Sequence, residues 1–322
     1  MLGGSGFIGR HIADALINNH HVTIYDIDIP RDVNGCDFVL GDIRDDNIES
    51  LLCSHDIIID LIAYANPKLY VDMPLEVFNI CFTENLNIAE LCVKHNKRLI
   101  QFSTCEVYGD HGDKPDAWSE DESYFCTGPI DQHRWIYANA KQVLERLLHV
   151  HGEFSDLEYT IIRPFNFIGY DIDYMPSEQQ GCPRVFSHFV DAIRGNDHIK
   201  LVNGGMQRRA YTHITDAVNC IKLIIDHPSK SRNQVFNIGS PNNETTIKDL
   251  ADLMIDIALD EQWIKWPPQI ESVSGKEFYG KGYADITRRV PDITKAQTIL
   301  GWQPTMTLKD TLYESMHPWF TS

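Results

Sequence analysis

Apolar residues recur along this chain with two periods, one helical and one extended. "GFIGRHIADALINNH" puts Ile8, Ile12, Ala15 and Leu16 on one face at helical spacing. "HVTIYDID" and "CDFVLGDI" read as strands, the first ending in acid. "HDIIIDLIA" is a continuous isoleucine run, which suits a parallel strand covered on both faces. "PLEVFNICFTENLNIAELCVKH" reads as one long helix, and "KRLIQFST" as the next strand. "RWIYANAKQVLERLLHVHG" is a further helix, and "LEYTIIRPFNFIG" a strand leading into a loop. Strand and helix alternate through short connections. This predicts a doubly wound α/β fold, a parallel Rossmann sheet with right-handed crossovers.

Beyond residue 170 the alternation loosens. "DYMPSEQQGCP" reads as a loop, "RVFSHFVDAIRG" as a helix, "VFNIGS" as a short strand and "TIKDLADLMIDIAL" as a helix. Residues 264–293 are rich in Pro, Gly and Tyr. The expected division is a nucleotide-binding domain over 1–170 and a smaller C-terminal substrate lobe over 171–322. Segments such as 203–240 are expected to return to the sheet.

Composition narrows the partners. The 322 residues carry a net charge of −18 with no Lys/Arg block, which argues against nucleic acid or an anionic membrane surface. A small anion remains compatible, since backbone N–H groups and a few arginines bind one against an acidic global field. The eight cysteines form no CxxC pair and are scattered among apolar segments. They read as free buried thiols in a reducing cytoplasm, with no metal site. No apolar run reaches the roughly 18 residues of a membrane span, and no signal peptide is visible.

Gly3, Gly6 and Gly9 are spaced three apart immediately before the first helix. They suit a tight turn, or a backbone that approaches a pyrophosphate at a helix N-terminus, with Phe7 and Ile8 opening that helix. Asp26 lies 17 residues after Gly9 at a strand end, where a carboxylate takes both ribose hydroxyls and repels a 2′-phosphate. Asp42 and Ile43 follow the next strand and are placed to bracket an adenine ring. The cofactor expected is NAD. Such a fold wants a strand before the glycines, where the sequence has just Met1 and Leu2. The expectation is that the numbering starts late or the N-terminus is shortened.

Tyr137 and Lys141 are four apart and share a helix face. Taken alone, they suit a packed aromatic beside a lysine stem. After a nucleotide loop and a strand ending in Ser-Thr, they suit a phenol whose pKa the ammonium lowers, a general base toward a sugar hydroxyl.

Gly3/Gly6/Gly9, Asp26, Thr104 and Tyr137/Lys141 resemble the extended short-chain dehydrogenase/reductases that act on nucleotide sugars. "GPIDQHRWIYANAK", "RPFNFIG", "GGMQRRAYTHITD" and "FYGKGYADITRR" narrow the likeness to the ArnA-type UDP-glucuronate dehydrogenase/decarboxylases, over nearly the whole chain. ArnA also carries a formyltransferase domain, which has no counterpart in this sequence. The resemblance implies that Thr104 bonds the sugar O4 and that Glu106 lies near C5 and the carboxylate. It implies that Arg134 shapes the site and that Asn166, Arg184, Lys200 and Tyr279 contact the UDP-sugar. It places Arg289 against the reacting carboxylate. Read from the residues alone, Arg184 and Lys200 are also compatible with solvated side chains, and Arg289 with a salt bridge at a helix start.

One residue departs from that pattern. The decarboxylases carry Ser between the Thr and the Glu, and this chain has Cys105. "STCEVYG" also resembles a dehydratase of the tunicamycin pathway that acts on UDP-N-acetylglucosamine, in which chemistry a thiol would deliver a proton at C6. The primary expectation is an NAD-dependent UDP-glucuronate decarboxylase giving UDP-4-keto-pentose or UDP-xylose. A UDP-sugar dehydratase, a C4 epimerase and an inactive NAD-sensing regulator stand beside it. "PLEVFNICFTENL" and "YANAKQVLERLL" resemble the family's dimer helices, so a homodimer is expected.

Overall fold

A computed structural model of the chain describes residues 1–31, 35–45, 47–112, 116–178, 183–280 and 283–321. Its centre is a parallel sheet. The strands Ile57–Asp60, Arg98–Phe102, Tyr159–Pro164 and Gln234–Ile238 pair in that spatial order. Thr23–Asp26 pairs in parallel with Asp37–Leu40. Leu2 joins the two groups, bridging to Tyr25 on one side and Asp60 on the other. The strand place before the glycines is therefore held by Leu2, with Leu2 N–H donating to Ile59 O at 2.9 Å and Leu61 N–H to Leu2 O at 3.0 Å. The strand order reverses at Leu2, and in open α/β sheets ligands bind where such a reversal lies, outside the carboxyl ends of the strands.

Alternation along the strands feeds two cores. Ile59, Ile100, Phe102 and Ile162 pack on one face with the helices Phe7–Leu16 and Ile214–Asp226. Ile58, Leu99 and Ile161 pack on the other with Asn85–Lys94 and Trp135–Phe154. Burial on both faces is why these strands read as unbroken apolar runs. In the first helix the fully buried positions are Phe7, Gly9, Ile12, Ala13 and Leu16. Ile8 and Ala15, expected on that face, are half-buried at its margin, because the helix packs on Ile214–Asp226 as well as on the sheet.

The long helix over residues 74–94 is continuous but not uniform. Pro74–Phe78 and Asn85–Lys94 are α-helical, and Asn79–Glu84 between them is a π-helix. The C-terminal half adds a three-stranded sheet of Glu244–Thr246, Arg208–Ala210 and Arg288–Arg289, in that order. The expectation of buried thiols holds in part. Cys81, Cys92, Cys105 and Cys220 are buried, whereas Cys53 and Cys126 are exposed and Cys36 is intermediate. Cys182, with the loop segment around it, lies outside the described residues. Among the described residues no helix is long and apolar enough to cross a membrane.

Candidate active site

The glycine loop joins Leu2 to the helix Phe7–Leu16. Gly3 has φ +70°, a left-handed conformation that favours glycine. A Cβ on Gly9 would lie 2.5 Å from Gly4 O, so the helix can close on the loop with glycine there. Gly6 is different. A Cβ on it would meet Gly3 O alone, at 3.7 Å, so the protein's own packing does not demand a glycine. The space before Gly6 faces a helix start that no side chain caps. A phosphate fits that position, where backbone donors and the helix dipole favour an anion. The Asp26 carboxylate stands beside the loop, accepting from Ser5 N–H at 2.9 Å and Asp28 N–H at 3.1 Å. Asp42 is gripped by Arg44, whose Nε and Nη2 reach its two oxygens at 2.8 and 2.5 Å, and Ile43 is buried. These residues fit a dinucleotide.

The strand Arg98–Phe102 ends in the segment opened by Ser103 and Thr104, and a 3-10 turn over Cys105–Tyr108 follows. The Thr104 hydroxyl caps this turn, accepting from Glu106 N–H at 3.1 Å, and also bonds the Tyr137 phenol. Tyr137 is buried and stacked on Tyr70, with ring centroids 4.8 Å apart and 16° between planes. Burial pushes its phenol well above the ordinary value, Cys81, Glu106 and Cys105 add to this, and the Thr104 bond opposes it. The expected lowering by Lys141 is not what dominates. The Lys141 ammonium is directed to Asn85 Oδ1 at 2.7 Å and Phe102 O at 3.0 Å.

Glu106 is buried between two guanidiniums. Arg134 Nη1 lies 2.5 Å from Oε2 and Arg289 Nη1 3.3 Å from Oε1. Burial alone would raise this carboxyl, but Arg134 and Arg289 outweigh it and hold it at about 2. Cys105 is the opposite case. Burial pushes its thiol up against the pull of Arg289, whose Nη1 is 4.0 Å from Sγ. Of these neighbours the thiol keeps its proton and the carboxyl loses it.

A cavity of about 730 Å³ opens beside this turn. Of the expected substrate contacts it brings together Glu106, Arg134, Asn166, Arg184, Lys200 and Tyr279, and Arg289 lines it as well. Asn166 has φ +41° and donates to Ala210 O at 2.9 Å. Arg184 is bound to the Asp173 carboxylate through Nε at 2.9 Å and Nη2 at 2.8 Å, and Lys200 is exposed at the rim. Thr104, Cys105, Tyr137 and Lys141 are not among the described residues of the cavity wall. Thr104 and Cys105 adjoin it in sequence through Glu106, and Tyr137 stacks on Tyr70, whose ring centroid lies 5.6 Å from the Arg134 guanidinium on the wall.

Sequence reasoning missed several residues here. Arg209 lines the cavity, buried, and holds Asp285 at 2.7 Å. Burial and the neighbouring Arg289 lower its pKa. Its signal was present in "QRRAYTH", since one of two adjacent arginines on a strand must face inward. Tyr283 also lines the cavity, stacked on Tyr279 at 4.2 Å. Tyr70 and Asn85 left no comparable signal, because their roles come from packing across helices.

Behind the site runs a buried network. Glu145 accepts from Ser103 Oγ at 2.5 Å, and from Arg163 Nε at 3.0 Å and Nη2 at 2.6 Å. Arg163 also donates to Tyr108 OH, which donates to Asn237 Oδ1, each at 2.8 Å. Asn237 Nδ2 reaches Trp118 O at 2.7 Å and Asp292 O at 3.0 Å, tying in the segment that carries Arg289.

Residues 1–239 match the family described as Epimerase, the NAD dependent epimerase/dehydratase family. The chain is 37% identical to the UDP-D-apiose/UDP-D-xylose synthase of Oryza sativa subsp. japonica, over 97% of this chain and 86% of that protein. It is 35% identical to UDP-D-apiose/UDP-D-xylose synthase 1 of Arabidopsis thaliana, over 98% and 89%. Among solved structures, the PbgP3 protein from Burkholderia pseudomallei superposes with a TM-score of 0.84 at 31% identity, covering 99% of this chain and 95% of that one. With that match over most of its length, the chain belongs to the NAD dependent epimerase/dehydratase family, the extended short-chain dehydrogenase/reductases, and NAD is its cofactor.

Proposed function

We propose that this enzyme is an NAD-dependent UDP-glucuronate decarboxylase yielding a UDP-pentose. One observation carries the reading. Three buried guanidiniums, of Arg134, Arg209 and Arg289, face two carboxylates, of Glu106 and Asp285, in the cavity that opens beside the turn capped by Thr104. Arg209 and Arg289 are register partners on adjacent strands, so like charges stand side by side. A substrate carrying both phosphate and a sugar carboxylate relieves that excess. The plant relatives are named for UDP-pentoses, and a pentose follows from a hexuronic acid by loss of C6.

NAD, when bound, supplies a hydride acceptor for sugar C4. Burial keeps the Tyr137 phenol protonated here; the positive charge of the bound nicotinamide would favour the phenolate, and Tyr137 would then take the O4 proton while the Thr104 hydroxyl holds O4, with Lys141 fixed by Asn85. The C4 ketone then lies β to the C6 carboxylate. The C5–C6 bond breaks, its electron pair passes into the enolate of the C4 ketone, CO₂ departs, and C5 takes up a proton from water. Arg289 orients the carboxylate before it leaves, and Glu106 stays ionised beside C5. Tyr137 would give the proton back to O4 if the ketone is reduced again, the reduced cofactor supplying the hydride, and the product would then be UDP-xylose.

The same reading assigns residues 1–170 to NAD and 171–322 to the nucleotide sugar, with 203–240 giving a strand back to the sheet. Support comes from the pairing of Gln234–Ile238 with Tyr159–Pro164 and from the cavity wall at 183–211 and 278–289. We read the molecule as a cytoplasmic homodimer. Leu75 is 84% exposed on one proposed dimer helix, and Val143 and Val150 are 43% and 44% exposed on the other. The seven described cysteines are free thiols, which suits a reducing compartment.

The test is mass spectrometry of products from UDP-glucuronate, UDP-glucose and UDP-N-acetylglucosamine with NAD. A UDP-pentose from UDP-glucuronate is the expected outcome. Dehydrated or epimerised product from another sugar, with UDP-glucuronate untouched, overturns the reading.

A further inference from the structure

The sheet of Glu244–Thr246, Arg208–Ala210 and Arg288–Arg289 has two faces with different work. In its parallel pair Arg208 stands opposite Arg288, and Arg209 opposite Arg289. Alternation sends Arg209 and Arg289 into the cavity and leaves Arg208 and Arg288 on the other face. Two arginines directly opposite one another repel. Glu244 answers that repulsion. Its Oε1 lies 2.7 Å from Arg208 Nε and 2.6 Å from Arg288 Nε, and its Oε2 accepts from Arg288 Nη2 at 2.8 Å. Glu244 stands opposite Ala210 in the antiparallel ladder, on the same face as Arg208.

We propose that Glu244 is a positioning residue for the reacting end of the site: by clamping Arg208 and Arg288 it sets Arg289 against the substrate carboxylate. The strand Arg288–Arg289 has two residues, and outside this sheet its register is held by Trp118, whose N–H donates to Val290 O and whose carbonyl accepts from Asp292 N–H just beyond it. A slip of one residue turns every side chain to the opposite face. Here the slip would put Arg288 where Arg289 belongs and withdraw Arg289 from Glu106. Glu244 is not among the described residues of the cavity wall, so it acts through the strand and not on the ligand.

This inference rests on the proposal that the substrate carries a carboxylate, and the test separates the two. Affinities for UDP-glucuronate and UDP-glucose are measured by calorimetry on the NADH-bound enzyme, which cannot oxidise either sugar. The wild type should prefer the uronate. E244Q should lose about tenfold or more of that preference, the scale of one charge-assisted hydrogen bond, while binding UDP-glucose as before. E244D should recover part of it. Adding E244Q to R289M should change the preference no further. R288M, which frees the strand from the clamp by another route, should behave as E244Q does and serves if E244Q does not fold. The proposal is overturned if E244Q and R288M keep the preference, if both ligands weaken equally, or if the losses of E244Q and R289M add in full. A wild type that fails to prefer the uronate overturns the substrate reading first, and the clamp's stated purpose with it.

Discussion

Ser103 donates a 2.5 Å hydrogen bond to Glu145, joining the strand end that carries Thr104 to the helix that carries Tyr137 and Lys141. Glu145 is one helical turn beyond Lys141, and Arg163 bonds both of its oxygens. Removing one partner of a buried ion pair leaves the other charge uncompensated, which costs about 3–5 kcal/mol. Glu145→Ala should lower stability on that scale, read from the urea unfolding midpoint. A shift no larger than that of the exposed control Glu153→Ala would show that the network is dispensable.

Tyr137→Phe should leave NAD affinity intact and reduce turnover by about 10²-fold or more, the range for a lost proton-transfer group. NAD titration followed by product formation measures the two effects separately. Unchanged turnover would remove Tyr137 from the proton path.

Arg289 and Cys105 together report the chemistry at C6. For a carboxylate substrate, Arg289→Ala should impair both affinity and rate, and Cys105→Ser should retain most activity. For a dehydratase, Cys105→Ser should nearly abolish turnover, since an alcohol is a far weaker acid than a thiol, and Arg289→Ala should matter less. Product formation by the two variants on the best wild-type substrate decides between these patterns.

Glu106 gives a signed dependence on pH. Its folded pKa is held at about 2, below the ordinary 4.5. Between those values the unfolded chain binds more protons, so stability rises with pH across that window and falls as acid is added. Its contribution is complete above the ordinary value and is lost as pH drops through the folded one. Urea midpoints from pH 5 downward should fall less steeply for Glu106→Gln than for the wild type. Parallel slopes would mean that the two arginines do not hold the carboxyl down.

Asp26 should enforce preference for NAD. A 2′-phosphate would meet its carboxylate at the glycine loop, where like charges would lie close together. Tighter binding of NADP than of NAD in a fluorescence titration would free Asp26 from the ribose.

The periodicity of the strands made the sheet legible, because burial on both faces leaves an unmistakable apolar run, as in "HDIIIDLIA". The shared helix face of Tyr137 and Lys141 was legible from their spacing, whereas Glu106 and Arg289 were singled out by resemblance and both line the cavity. Arg209, Tyr283 and Tyr70 were not legible, since their inward direction depends on which strand or helix lies opposite. The pKa of Tyr137 was misjudged for a related reason. Spacing shows that Lys141 is near, but not that Asn85 and the Phe102 carbonyl claim its ammonium. The helix Ile214–Asp226 also escaped, though its apolar face is regular.

The π-helical stretch Asn79–Glu84 lies just before Asn85, the residue that holds Lys141. A π turn accommodates one residue more than an α turn, and one residue is worth about 100° of rotation. The residues after the stretch are therefore turned relative to those before it, in the phase that buries Asn85 against Lys141. Excising a single residue from this stretch would re-phase the rod and swing Asn85 away from the ammonium, with every side chain of the site left unaltered. Chain length, counted one residue at a time, is as much a component of this chemistry as the phenol or the guanidinium.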